Sequence, residues 1–380
     1  MGRVIFEPKV RDRYDGTSVR SVVRAIPPDH AYAGGEPWYL VESDYKGAEL
    51  LVGAIASGDM VMLDHCQRNQ LPEHDPNFFD THSNLTVSAF RLPCAPTKAG
   101  LASIGKKHLR NGGKAVVFGY MYGRTAKAIA IALRQEGVNI TLQEAQQFID
   151  ALEALYPDLK IFLNSCRARV KVGFIATMFG RYRRFPFTRD EQQLKKMERE
   201  AMNAPIQGAV ADAMNMACHN IQAERKRLGM RFKLPLAIHD AVLLQVPESE
   251  LHEVCRPDGL LKRAMVDQVP LMPRDLDGRL LLDGEIHRFG YSVDVHTHWG
   301  ELLLADHLME IGLPPEFVGW GRIPGGWQHF ETETKVMDRD NNGKSKKSTF
   351  VAGSSCAGWR HGRHATVGTR GQRDVREARV

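Results

Sequence analysis

The most constraining feature of the sequence is a pair of short apolar runs separated by two polar residues. Residues 232–246 read F-K-L-P-L-A-I-H-D-A-V-L-L-Q-V, so His239 and Asp240 lie between two β-prone segments. Two strands joined by so short a connection pair antiparallel as a β-hairpin. The sequence therefore predicts an antiparallel sheet with a carboxylate at the tip of a hairpin.

A second carboxylate follows an apolar run near the start of the chain. Residues 38–43 read W-Y-L-V-E-S, and from Tyr45 to about Gly58 the apolar spacing becomes helical, so Asp44 is predicted at a strand-to-helix junction. Taken singly, Asp44 could be a helix N-cap and Asp240 a turn residue. Two poorly solvated carboxylates also need neutralising charge, which a pair of divalent metal ions supplies in an in-line phosphoryl displacement.

A helix predicted from Lys106 to about Leu133 carries both cations and aromatic rings on one face. Four residues recur at four-residue intervals along it: Arg110, Lys114, Phe118 and Tyr122. A core stripe would be aliphatic and a solvated face would lack the rings, so neither explains both halves of the pattern. Cations suit a triphosphate and rings suit a base or sugar, which together favour a nucleotide-binding face.

A later helix, predicted to run past Met214, has a polar stripe with the same spacing. The stripe consists of Arg199, Asn203 and Gln207. Amides beside an arginine could contact the sugars and base edges of a nucleic acid. A solvated polar face near Pro205 is the simpler alternative.

Local signals predict further elements. The segment Thr141-Leu-Gln-Glu is a capping box that opens a helix, and residues 177–189 predict a turn flanked by β-prone residues. Beyond Asn341 the sequence is rich in Gly, Ser and Arg and has little apolar periodicity, so we expect disorder there.

Composition excludes several classes of protein. The net charge of +6 belongs to the C-terminal tail, where residues 341–380 carry nine Lys and Arg against two acidic residues and leave −1 for the rest. The six cysteines include no C-x-x-C pair, which argues against a zinc site or a disulfide framework and favours a reducing compartment. No apolar run is long enough to cross a membrane. We expect a cytoplasmic protein, in a bacterial or phage-infected cell, with no membrane partner.

In their order along the chain, these segments resemble the family A DNA polymerases. The D-Y-K-G-A-E-L stretch at 44–50 is similar to motif A of that family, R-x-x-x-K-x-x-x-F-G-x-x-Y-G at 110–123 to motif B, and I-H-D at 238–240 to motif C. The similarity runs from about Ser21 to Trp299 and includes Asp80-Thr-His82.

The resemblance implies an α+β fold of the right-hand polymerase type, with an antiparallel palm sheet and helical fingers. The implied division is palm with motif A at 1–50, fingers with motif B at 51–195, palm with motif C at 196–300 and a partly disordered extension at 301–380. Because only 43 residues precede Asp44, we expect the thumb and an exonuclease domain to be absent.

The resemblance also implies roles for individual residues. Asp44 and Asp240, with the backbone carbonyl of Tyr45, would bind two Mg²⁺ ions as cofactors. The residues implied to contact the incoming deoxynucleoside triphosphate are Glu49, His82, Arg110, Lys114, Phe118 and Tyr122. Among these, Lys114 would protonate the leaving pyrophosphate, and Glu49 would occupy the space of a ribose 2′-hydroxyl. The residues implied to hold primer-template DNA are Arg199, Asn203, Gln207 and His239.

The sequence departs from the family pattern at motif C, where Ala241 stands in place of the usual Glu. The implied function is template-directed DNA synthesis, with a separate chain as a candidate partner that supplies the thumb and exonuclease. One alternative is a catalytically impaired DNA-binding fragment or subunit of a split polymerase. Another is a single-subunit RNA polymerase, against which Glu49 and Phe118 argue.

Overall fold

The computed structural model describes residues 23–71, 75–135, 139–281, 285–299, 301–302, 305–314, 320–323, 326–329, 337–339 and 345–347. The chain divides into two compact units, Met1–Thr332 and Glu333–Val380. Helices and antiparallel strands make up the first unit, which confirms the mixed helix and sheet class. The expectation of disorder beyond Asn341 lies largely outside the described residues, and the predicted boundaries at 50, 195 and 300 stay predictions.

The structure has the following elements. The strands are β1 (Trp38–Lys46), β2 (Phe174–Ala176), β3 (Tyr182–Arg184), β4 (Lys233–Ile238), β5 (Ala241–Pro247), β6 (Gly290–His298), β7 (Glu301–Leu302), β8 (Trp320–Ile323), β9 (Gly326–His329), β10 (Met337–Arg339) and β11 (Ser345–Lys347). The helices are α1 (Ala48–Ser57), α2 (Met60–Arg68), α3 (Thr81–Phe90), α4 (Lys98–Ser103), α5 (Lys107–Met121), α6 (Ala126–Gln135), α7 (Leu142–Leu155), α8 (Pro157–Val172), α9 (Glu191–Leu228), α10 (Glu248–Cys255) and α11 (Ala305–Glu310).

A five-stranded sheet with the order β4-β5-β1-β6-β7 organises the first unit. Its central strand, β1, pairs antiparallel with β5 on one side and with β6 on the other. Strands β4 and β5 form the predicted hairpin, in which Ile238 pairs with Ala241 across the His239–Asp240 turn. The hairpin inferred from the apolar runs is therefore confirmed.

Alternation along β1 gives the sheet one face that packs on the main core and an opposite face that is apolar at Leu40 and polar at Glu42 and Asp44. Val41 and Tyr45 join the main hydrophobic core together with residues of α9. The Tyr45 hydroxyl donates to the Met265 carbonyl at 2.7 Å, in the π-helical segment Lys262–Asp267. The alternate residues, including Asp44, face the other way.

The junction after β1 differs from the sequence expectation. Strand β1 continues to Lys46, and Gly47, with φ of 57°, is the N-cap of α1. Asp44 therefore lies within the strand, and the N-cap interpretation of Asp44 is wrong. The left-handed backbone at Gly47 favours glycine and makes the turn from strand to helix abrupt.

The helix predicted from Lys106 to Leu133 is two helices, α5 and α6. The chain breaks at Gly123, which has φ of 71°. A Cβ atom on Gly123 would lie 2.9 Å from the Met202 sulfur and 3.2 Å from Arg199 Cγ, so α9 approaches closely here. By contrast, the capping box at Thr141 is confirmed, with both reciprocal hydrogen bonds to Glu144 present.

The motif B helix, α5, packs against α3 and α7. A Cβ atom on Gly113 would lie 2.8 Å from Phe148 Cε1 and 3.1 Å from Thr86 Oγ1. The glycine that lowers helix propensity in this segment is thus needed where the three helices meet. No helix in the described ranges is both long and apolar enough to span a membrane.

We predict that Gly113→Ala lowers the free energy of unfolding by about 1–2 kcal/mol, because overpacking against Phe148 outweighs a helix-propensity gain of about 1 kcal/mol. Asn111→Ala, on an exposed position of the same helix, is the matched control and should be neutral or slightly stabilising. Urea unfolding measures both. A more stable Gly113→Ala variant would contradict the close packing described above.

Candidate active site

The sheet brings the two predicted metal-binding aspartates together. Asp44 on β1 lies opposite Ala241 on β5, and the backbone N–H of Tyr45 donates to the Asp240 carbonyl at 2.9 Å. Asp240 follows His239 in the hairpin turn, and His239 has a left-handed backbone with φ of 56°. Residues separated by almost 200 positions thus become neighbours at one end of the sheet.

Both carboxylates are disfavoured as anions in the folded chain. Burial raises the Asp44 pKa, although a hydrogen bond from the Ser292 hydroxyl on β6 opposes the shift. Burial also raises the Asp240 pKa, with further contributions from the negative charges of Asp44 and Glu49. A cation between the two carboxylates would relieve these costs.

The donor set fits a hard divalent ion. Mg²⁺ takes oxygen ligands and is commonly held by one or two carboxylates, with waters and substrate phosphates in the remaining positions. Within the described residues there is no group of three or more His, Cys, Asp or Glu side chains arranged to hold a metal ion. Asp44 and Asp240 supply two such carboxylates, so the residues present fit a Mg²⁺ ion.

Sequence reasoning missed the carboxylate of Asp294, which lies on β6 opposite Glu42 and on the same face as Asp44. Burial and then the negative charges of Asp44 and Glu42 raise the Asp294 pKa to about 6, against the opposing charge of His296. Burial also lowers the Lys46 pKa to about 8. Only the strand register brings Asp294 beside motif A, and no local pattern in the sequence predicts this position.

The face of α5 gathers the predicted nucleotide-binding residues. Phe118 and Tyr122 have ring centroids 6.5 Å apart, and His82 at the start of α3 lies 6.2 Å from Phe118 by the same measure. Lys114 is exposed, and Arg110 is largely covered because it is paired with Asp80. The rings and cations therefore share one surface with a histidine from another helix.

His82 is neutral at physiological pH. Its side chain is buried, and burial together with the positive charges of Arg110 and Lys114 lowers the pKa to about 4. Within the described residues, the Nδ1 atom is buried and has no hydrogen-bond partner. A buried polar atom left without a partner is costly, so His82 suits a site that a polar ligand completes.

One of the predicted primer-template residues of α9, Gln207, contacts Glu49, the predicted sugar-selecting residue. Gln207 donates to Glu49 Oε1 at 3.1 Å, and Asn203 donates to Gln207 Oε1 at 2.8 Å. Arg199 lies one turn before Asn203, against the Gly123 break. The amide stripe therefore connects α9 to the first turn of α1, within the 44–50 segment that resembles motif A.

We predict that Asp44→Asn raises the midpoint of thermal unfolding in EDTA at pH 7. The folded-state pKa lies above the ordinary value of 3.8, so ionisation opposes folding, and stability falls as the pH rises from about 4 through the folded pKa. The amide removes that penalty. The difference from the unmodified protein should shrink below pH 4, where both side chains are neutral. A variant that is less stable at pH 7 would contradict the assigned burial cost.

Comparison with known proteins agrees with the motifs. The model of the family described as DNA polymerase family A matches residues 17–277, which is more than half of the chain. DNA polymerase I of Chloroflexus aurantiacus is 31% identical over 228 residues, which cover 60% of this chain and 22% of that protein. DNA polymerase I of Geobacillus stearothermophilus is 28% identical over 247 residues, which cover 63% of this chain and 26% of that protein. The chain thus spans about a quarter of the length of these curated relatives.

A solved structure has the same fold. It is the POL domain of Pol1 from M. smegmatis in complex with DNA primer-template and dNTP, with a TM-score of 0.55 and 24% identity. The alignment covers 75% of this chain and 43% of the solved one. Ordered motifs, the family match over most of the chain and the shared fold lead to one conclusion. This chain belongs to the family A DNA polymerases.

Proposed function

We propose that this chain catalyses template-directed addition of deoxynucleotides to the 3′-hydroxyl of a DNA primer. The observation that carries the proposal is the convergence of Asp44 and Asp240 across β1 and β5, where burial disfavours both negative charges. In this assignment the sheet is the palm, and the helices from α1 to α8 include the fingers. The fold shared with a polymerase domain supports that assignment.

Asp44 and Asp240 would hold two Mg²⁺ ions, with the backbone carbonyl of Tyr45 as a further ligand. When bound, the ions activate the primer hydroxyl and neutralise charge that develops on the transferred phosphate. The chain's own contribution is to fix these oxygen ligands on β1 and on the turn between β4 and β5, which the hydrogen bond from the Tyr45 N–H to the Asp240 carbonyl ties together. Ser292 adds to this by donating to one Asp44 oxygen, which leaves the other oxygen for the site.

The incoming nucleotide would lie along α5. Lys114 and Arg110 would bind the triphosphate, and Lys114 would donate a proton to the leaving pyrophosphate. His82 is neutral, so its ring would contribute a hydrogen bond and no charge. Phe118 would pack on the sugar and base, and Tyr122 would lie near the template base.

Glu49 would exclude ribonucleotides by occupying the position of a 2′-hydroxyl. Its hydrogen bond from Gln207 supports this role, because it restrains the carboxylate on the α9 side. Arg199, Asn203 and His239 would contact primer and template near the new base pair. Gln207 would share that task while it bonds to Glu49.

A catalytically impaired DNA-binding fragment is the second candidate function, and Ala241 is the observation that favours it. Ala241 lies directly opposite Asp44, on the same face of the sheet, so the carboxylate usual in the family is missing beside the metal-binding pair. Primer extension with Mg²⁺ and one labelled deoxynucleotide separates the two functions. Incorporation supports the polymerase, whereas DNA binding without incorporation supports the impaired fragment.

We predict that Asp44→Asn and Asp240→Asn each reduce incorporation by about 10²-fold or more, because each change weakens a ligand of the proposed metal pair. Binding of primer-template, measured by fluorescence anisotropy, should change little. Asp59→Asn is the matched control, since Asp59 is also buried but caps α2. Near-full activity in either of the first two variants would refute the metal assignment.

We also predict that Glu49→Ala raises kcat/KM for a ribonucleotide relative to that for the matching deoxynucleotide by about 10-fold or more, because it opens space at the 2′ position. Glu49→Gln is the control that keeps the size of the side chain, and it should largely retain discrimination. Single-nucleotide incorporation gives both ratios. If Glu49→Ala lowers both rates equally, the side chain stabilises the fold and does not select the sugar.

A further inference from the structure

We infer that Asp80 is a positioning residue that holds the guanidinium of Arg110 in the orientation needed to receive a triphosphate. The inference rests on the proposed function, because it deepens the nucleotide site on α5. It assigns a role to a buried carboxylate that touches neither the proposed metal pair nor the primer. The contacts that carry it all converge on the first turn of α3.

The Asp80 carboxylate accepts hydrogen bonds on both of its oxygens. Oδ1 accepts from the backbone N–H groups of His82 and Ser83, each at 3.2 Å, and from Arg110 Nη2 at 3.0 Å. Oδ2 accepts from the Ser83 hydroxyl at 2.7 Å and from Arg110 Nε at 2.8 Å. With the side chain only 2% exposed, this many donors leave the carboxylate one orientation.

The fixed carboxylate in turn fixes Arg110. Arg110 donates to the Asp80 carboxylate through both Nε and Nη2, and this two-point contact sets the plane of the guanidinium. Within the described residues, the Nη1 end has no hydrogen-bond partner. A free arginine side chain would lose about 2 kcal/mol of rotamer entropy on ordering, and the ion pair has already imposed most of that loss before a nucleotide binds.

Asp80 also orders the neighbouring ligand. Its carboxylate accepts the backbone N–H of His82 as the N-cap of α3, which fixes the backbone from which the His82 side chain extends. The ring brings a buried Nδ1 atom without a hydrogen-bond partner to the same surface as Phe118. One carboxylate therefore holds both the guanidinium of Arg110 and the backbone of His82, although the two residues come from different helices.

Because Asp80 and Arg110 form an ion pair, the direction in which triphosphate binding changes when Asp80 is replaced distinguishes two explanations. Asp80 neutralises much of the positive charge of Arg110, so an argument from charge alone predicts that removing the carboxylate tightens triphosphate binding. An argument from positioning predicts weaker binding, because Arg110 becomes free to adopt other rotamers. Burial raises the Asp80 pKa, but hydrogen bonds from Arg110 and Ser83 outweigh it, so the pKa lies below its ordinary value and Asp80 is an anion at neutral pH.

The test uses Asp80→Asn, because asparagine is as good an N-cap as aspartate and lacks the charge that holds Arg110. The measurement is the Kd for dATP with the chain bound to a primer-template that presents thymine, using a primer lacking the 3′-hydroxyl so that binding is read without turnover. We expect the Kd to rise about 10-fold, which corresponds to about 1.4 kcal/mol. Asp59→Asn, the amide change at the buried N-cap of α2, should leave the Kd unchanged.

A double-mutant cycle shows whether Asp80 acts through Arg110. In an Arg110→Ala background, Asp80→Asn should change the Kd for dATP by less than about 2-fold, since the group that it positions is gone. The Ser83 hydroxyl donates to Asp80 and also accepts from Arg110 Nε at 3.1 Å. Ser83→Ala removes both contacts but keeps the charge of Asp80, so it should also raise the Kd for dATP. If circular dichroism shows that Asp80→Asn does not fold, the Kd of Ser83→Ala for dATP provides the test.

Unchanged or tighter binding by folded Asp80→Asn would overturn the inference, and so would an undiminished effect in the Arg110→Ala background. Primer extension by the unmodified chain is measured in parallel. If that chain extends primers and Asp80→Asn binds dATP normally, the inference fails and the proposed function stands. If the unmodified chain binds dATP with the predicted dependence on Asp80 but does not extend primers, catalysis fails and the positioning role stands.

Discussion

The pairing of β1 on both of its edges is the constraint on which the rest of the structure depends. A strand between two neighbours cannot shift its register by one residue without turning Val41 and Tyr45 out of the core and Asp44 into it. The buried side chains on one face therefore determine which residues the other face presents. Apolar burial, which has no directional chemistry of its own, thus fixes the position of the Asp44 carboxylate.

The surroundings of the buried aspartates affect their ionisation in opposite directions. Asp44 and Asp240 are costly as anions where they lie, whereas Asp80 is held as an anion by its partners. Lys46 lies on the sheet side of the site, but its charge does not offset the burial of the carboxylates, so that side still needs positive charge. The α5 side, in contrast, has its main arginine already paired. Under the proposed function, a nucleotide that carries metal ions would bring positive charge to the sheet side and would leave the ion pair between Arg110 and Asp80 intact. The carboxylates that are costly as anions therefore lie on the sheet, whereas the stable ion pair lies between α3 and α5.

Much of this could be predicted from sequence, for reasons that are local. The hairpin at His239–Asp240 and the four-residue spacing on α5 depend on periodicities that a strand or helix imposes on its own segment. The break at Gly123 has a local signal, because glycine adopts the left-handed backbone that ends a helix, but the close approach of Met202 from α9 could not be predicted. The same holds for Ser292, which lies 248 positions from the aspartate to which it donates, and for the pairing of Arg110 with Asp80. These features arise from packing between elements, which spacing along one element does not encode.

Gly47 is the whole connection between β1 and α1, so it sets the distance from the strand that bears Asp44 to the helix that bears Glu49. Its left-handed backbone disfavours any side chain there by about 1 kcal/mol or more. Under the proposed role of Glu49 in sugar selection, two independent changes would alter which nucleotide sugar fits. One is the length of the side chain at position 49, and the other is the length of the connection that carries it.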